Sequence, residues 1–150
     1  MKTILDKTTR DQLIGRINTL NEKSTANWGK MNVYQMLKHC TLYFEWILGK
    51  NKPVYKQVFI GRLFGKMALK DFIKDEKPVK KNTGTLNNLK VTQASGDIES
   101  EKLKLIELIK EAGNYSNPAF IHTFFGKMTN EQIGYLNYKH IDHHLRQFNS

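Results

Sequence analysis

Apolar residues recur at steps of three and four along five segments of this chain, and no segment alternates convincingly at steps of two. Side chains at the longer spacing share one face of an α-helix, whereas a half-buried strand needs period two. The pattern therefore predicts an all-α domain. The first segment, Thr8 to Asn21, aligns Leu13, Ile14, Ile17 and Leu20, with Thr8 or Thr9 as its cap. The second opens at Asn32, with Gln35 three residues on to complete a capping box. Val33, Met36, Leu37, Cys40, Phe44 and Ile47 follow, and Gly49 is a stop signal. The third covers Val54 to Ile73, with Pro53 just before it. Gly61 and Gly65 weaken it by about 1 kcal/mol each relative to alanine, or let another element approach closely. The fourth runs from Ile98 to Ala112, capped by Asp97, with Leu103, Ile106 and Ile109 as its stripe and Gly113 as its stop. The last, Asn130 to Phe148, opens on a second capping box made by Thr129 and Gln132. Between the third and fourth, residues 75–96 carry turn signals such as Asn82-Thr83-Gly84 and Ser95-Gly96-Asp97. A loop of that length inside a compact domain is usually functional or mobile.

Helices joined by loops imply a bundle whose ligand sites are made by inward-pointing side chains. A chain of 150 residues fits one domain, residues 1–150, with enough buried surface for a core without disulfides. Its single cysteine, Cys40, has no intramolecular partner and fits a reducing, cytoplasmic setting. The N-terminus shows no signal peptide, and no apolar run is long enough for a membrane span. The formal charge of +10 raises the question of nucleic acid. The lysines, however, are dispersed rather than blocked, and a solvated basic surface accounts for them better than a polyanion site.

The histidines sit where apolar residues are expected. Ile133, Leu136, His140, His144 and Phe148 form one stripe on the last helix, so two imidazoles one turn apart interrupt its buried face. Met36, His39, Tyr43 and Ile47 form a similar stripe on the second helix. If those two helices are neighbours, His39, His140 and His144 can surround one divalent ion and leave a coordination position open, as in catalytic sites. A lone buried histidine is more often a hydrogen-bonded core residue, and a His pair at i, i+4 also arises by chance. Tyr43 and Trp46 follow His39 by one and two turns and are candidates to line a pocket, or plain core. His122 is a candidate acid/base group, or a tie between its loop and the bundle. His143, one position off the stripe, is a candidate catalytic residue at the rim of the site, or a plain surface residue. Cys40 reads as small core filler.

The run Trp28-Gly29-Lys30-Met31-Asn32-Val33-Tyr34-Gln35-Met36-Leu37-Lys38-His39 resembles the opening signature of a DinB-like family of unknown function. The stretches His122-Thr123-Phe124-Phe125-Gly126 and Tyr138-Lys139-His140-Ile141-Asp142-His143-His144 resemble its second. The chain is thus similar to a branch of the DinB/YfiT-like superfamily (DUF1569-like). That resemblance implies a four-helix bundle, here with an additional helix or long loop. It also implies a metal held by one histidine of the second helix and a His-x-x-x-His pair of the last, matching His39, His140 and His144. Zinc or nickel is the expected ion, with iron or manganese behind them. Some members of the wider superfamily transfer low-molecular-weight thiols to electrophiles, or act as isomerases or hydrolases. The expectation is therefore a metal-dependent enzyme, a transferase or hydrolase acting on a small molecule. No carboxylate lies on the inward stripes as a general base; Glu45 and Asp142 are the nearest in sequence. Lys139 and Arg146 could receive an anionic substrate. A non-catalytic metal or small-ligand binding module is the first alternative, and a basic nucleic-acid-interacting protein the second. Bundles of this kind often pair through a helical face, which leaves room for a homodimer.

Overall fold

The computed structural model describes residues 1–150, which form five α-helices and no strand. The helices are α1 (Lys7–Thr19), α2 (Val33–Leu48), α3 (Phe59–Phe72), α4 (Ile98–Ala112) and α5 (Asn130–Gln147), with a 3-10 turn at Asn87–Leu89. All five expected helices form, and no helix is long and apolar enough to cross a membrane.

Capping chemistry sets most boundaries. The Gln35 amide donates to Asn32 Oδ1 at 2.9 Å, and the Asn32 amide donates back to Gln35 Oε1 at 3.1 Å. Thr129 and Gln132 repeat the exchange at the start of α5. Gly49 ends α2 at φ 77°, a left-handed conformation that suits glycine. Three expectations need correction. The cap of α1 is Asp6, not a threonine: its carboxylate accepts from the Thr9 amide at 2.7 Å. A charged acceptor at a helix N-terminus outcompetes a neutral hydroxyl. The third helix starts at Phe59 rather than Val54, because the Val58 amide is already bonded to the Thr123 carbonyl at 2.9 Å. On α4 the inward stripe is Leu105, Leu108, Ile109 and Ala112, flanked by Ile106, while Leu103 is 66% exposed. Leu105 stands two positions after Leu103, about 200° around the helix, so they cannot share a face.

Helix α2 is the centre of the molecule. Eleven of its sixteen residues are buried, so it is enclosed nearly all round rather than on one stripe. It packs along α4 and touches α5, while α1 bridges α4 and α5. Leu13 and Ile17 from α1, Leu37, Phe44 and Ile47 from α2, Ile109 from α4 and Ile141 and Leu145 from α5 meet in one core. That enclosure fixes α2 beside α5, with His39 midway along it.

Helix α3 stands outside this packing. Gly61 and Gly65 lay its bare backbone against the carbonyl of Phe124, and a Cβ at either position would overlap that oxygen. This is the close approach that the two glycines allowed for in the sequence. Lys139 of α5 ties down the other end, donating to the Phe72 and Asp75 carbonyls at 2.6 and 3.0 Å. It therefore caps a helix rather than awaiting an anion. Outward, α3 exposes Phe59, Ile60, Leu63, Phe64 and Met67. Gly65→Ala should cost about 1–3 kcal/mol through overpacking. Thermal denaturation should record a lower Tm, and an unchanged Tm would mean that the Phe124 loop yields without cost.

Candidate metal centre

His39 lies on the enclosed helix α2 and is buried. Its Nδ1 is 2.8 Å from the Leu89 carbonyl oxygen. A carbonyl can only accept, so Nδ1 carries the proton and Nε2 keeps its lone pair. His144 on α5 is held the same way. Its Nδ1 is 3.1 Å from Gln147 Oε1, and Gln147 Nε2 donates to the Trp28 carbonyl at 2.6 Å. The amide group of Gln147 is thereby oriented with its oxygen toward the imidazole, which again places the proton on Nδ1. His140, one turn earlier, stacks on Tyr43 with ring centroids 3.7 Å apart and planes within 7°. Tyr43 is fixed in turn by its hydroxyl, which donates to Asn137 Oδ1 at 2.9 Å.

The Nε2 atom of His140 is buried and makes no hydrogen bond. Leaving such a group unsatisfied costs about 1–3 kcal/mol. It also lies next to two other imidazoles. The three residues each offer a ring nitrogen, all within 4.8 Å of one another, and the ring centroids are 4.7 to 5.2 Å apart. Imidazole nitrogens about 2.0–2.1 Å from a shared tetrahedral ion stand about 3.4 Å apart, so a shift of about 1 Å brings the set to bonding geometry. The donor set fits a divalent metal ion.

Burial is the main cause of a lowered pKa at each of these rings. His144 falls to about 3, helped by the charge of His39. His140 is pushed well below its ordinary value by burial and then by His144 and His39. His39 is lowered by burial, with the Leu89 carbonyl pulling the other way. All three are neutral at pH 7, the state in which imidazole binds metal.

The cluster lines a cavity of about 430 Å³. Leu136, Phe72, Phe124 and Phe125 supply much of its apolar wall. The long connection before α4 folds across it, contributing Val79, Thr83 to Leu86 and Leu89. No aspartate, glutamate, lysine or arginine lines it. The two carboxylates noted from the sequence are engaged elsewhere. Asp142 accepts from Arg16 Nη1 and Arg146 Nε, both at 2.6 Å, which clamps α1 to α5 and occupies Arg146. Glu45 pairs with Lys104 at 2.6 Å.

Tyr43 lines the cavity, but Trp46 does not; it packs edge-on against Phe120 and His122, at 5.0 and 5.4 Å. His122 and His143 both reach the wall. His122 Nδ1 accepts from the amides of Phe124 and Phe125, each at 3.1 Å, so it ties its own loop. Its pKa is lowered to about 4 by burial. His143 meets Trp28 and His144 edge-on, at 5.8 and 5.1 Å. Cys40 points into the core, and burial pushes its thiol pKa up.

Two partners of the histidines were not anticipated. Leu89 acts through a loop carbonyl, which no side-chain pattern reveals. Gln147 stands three residues after His144, a spacing at which helical side chains meet, so the signal was there. Gln147→Leu should weaken zinc binding about 10- to 100-fold, the usual cost of losing a group that orients a ligand. Calorimetric titration with zinc would check it, and an unchanged affinity would show that His144 needs no support.

The family model described as "Protein of unknown function (DUF1569)" matches residues 1–150. No curated protein and no solved structure matches the chain.

Proposed function

The chain belongs to the DUF1569 family, whose function is unknown, and from its site we propose a divalent-metal-dependent enzyme acting on a small organic substrate. The observation that carries this reading is the buried, unpartnered His140 Nε2, set between two imidazoles whose Nδ1 atoms are already engaged. One ligand from α2 and two from α5 is the arrangement that the DinB/YfiT resemblance implies. In that reading α1, α2, α4 and α5 are the four bundle helices and α3 is the addition.

His39, His140 and His144 would hold zinc or nickel. The bound ion would supply Lewis acidity at the cavity. The chain's own groups do the rest. Leu89 and Gln147 keep two rings in the ligating tautomer. Tyr43 holds the plane of the third. Phe72, Phe124, Phe125 and Leu136 give the cavity an apolar wall.

The wall offers no carboxylate or lysine to take a proton from water. With His122 Nδ1 occupied by two amides, a general base for water would have to be His143, the one imidazole of the wall left over. A wall without carboxylates favours a nucleophile that ionises readily, such as a low-molecular-weight thiol, over water. Zinc- or nickel-loaded protein should consume a small thiol together with an activated aryl chloride, and chelated protein should not. Equal rates in the two samples would contradict the enzyme reading. Tight metal binding without turnover of any thiol or ester would leave a non-catalytic binding module.

A further inference from the structure

His122 is held in one tautomer and one orientation. Two backbone amides donate to Nδ1, which therefore carries no proton. A neutral imidazole with an unprotonated Nδ1 carries its proton on Nε2. No group of the chain accepts from that Nε2–H, the atom is not fully buried, and the ring lines the cavity. The ring cannot turn freely, because it stacks on Phe125 at 4.5 Å and meets Trp46 edge-on. The loop is closed by reciprocal backbone bonds between His122 and Gly126, at 3.0 and 2.9 Å. A fixed donor thus stands in a wall otherwise dominated by Phe72, Leu86, Phe124, Phe125 and Leu136, with no ionised side chain facing it.

We propose that this cavity takes an uncharged, largely apolar ligand bearing a carbonyl-type acceptor, and that His122 Nε2–H donates to that acceptor. The inference rests on reading the cavity as the substrate site and names the substrate class. His122 is then a positioning donor rather than a proton acceptor, since both of its nitrogens have fixed roles. Away from the three clustered histidines, a charged ligand body would be desolvated with no ionised side chain to pair it, a cost that such pockets avoid. A neutral acceptor gains one hydrogen bond inside an apolar wall.

The test uses metal-free, chelator-treated protein and three probes of one shape: acetophenone, ethylbenzene and benzoate. Binding is followed by calorimetry and by the amide NMR signals of His122, Phe124 and Phe125. Acetophenone should bind about fivefold more tightly than ethylbenzene, as one neutral hydrogen bond allows, and benzoate more weakly than acetophenone. His122→Asn keeps an acceptor near the Nδ1 position but removes the Nε2 donor, and should erase the preference for acetophenone. Equal affinity for acetophenone and ethylbenzene in the parent protein would overturn the proposal, even if the variant fails to fold. Tighter binding of benzoate would overturn the uncharged class. Zinc affinity measured alongside separates the two readings. A carbonyl preference in a protein that binds no zinc supports the ligand class while ending the metal reading.

Discussion

Replacing His140 with alanine should lower the affinity for zinc or nickel by more than two orders of magnitude and leave the helix content unchanged. The first half follows from ligand count. Losing a group that merely orients a ligand costs about 10- to 100-fold, so losing a ligand itself costs more. The second half follows from what His140 does in the metal-free chain. Its ring contributes a stacked contact with Tyr43 but also buries an unpartnered Nε2. A stacked pair contributes about 0.5–1.5 kcal/mol and an unsatisfied buried group costs about 1–3 kcal/mol, so removing both nearly cancels. Calorimetric metal titration and far-UV circular dichroism on the same sample read the two halves. A parental metal affinity in His140→Ala would remove this residue from the ligand set.

The metal-free protein should lose stability steeply as the pH falls from about 6.5 toward 4. All five histidines titrate below their ordinary value when folded, because burial disfavours the charged ring, with His122 at about 4 and His144 at about 3. An unfolded histidine takes its proton near pH 6.5. Between that value and the folded pKa, the unfolded state binds more protons, so stability rises with pH and is lost on acidification. The contribution is fully present above about pH 6.5. Acting together, these groups should remove several kcal/mol by pH 4. Ordinary carboxylates titrate lower, so the loss between pH 6.5 and 5 belongs to the histidines. Thermal denaturation in chelator across this range should show a falling Tm. A flat profile from pH 7 to 5 would mean that the rings are hydrated rather than buried. Metal affinity should fall over the same range, because protons compete for the lone pairs.

Local patterns were the most legible part of the sequence. Capping boxes at Asn32 and Thr129 placed two helix starts correctly, because both partners lie within one turn of chain. The histidine cluster was legible for a related reason: a polar residue on an apolar stripe is conspicuous, and His140 and His144 share such a stripe with Leu136. The stripe on α4 was misjudged because Leu103 is as apolar as Leu105, and only packing against α2 decides which of them turns inward. The start of α3 was misjudged because the Val58 amide is bonded by a carbonyl 65 positions away in the chain. Trp46 lies on the expected helix but packs against Phe120 and His122 instead of lining the cavity, a difference that periodicity cannot give. The loop across the site carried only turn signals, so its contact with His39 through the Leu89 carbonyl was invisible before the fold was known.

X-ray absorption at the metal edge, on protein purified without an affinity tag and loaded with one equivalent of zinc, would report the ligands directly. Three imidazole nitrogens at about 2.0–2.1 Å from the ion are the expected shell. A shell of water or carboxylate oxygens with fewer than two imidazoles would show that these rings, though neighbours, do not hold an ion in common.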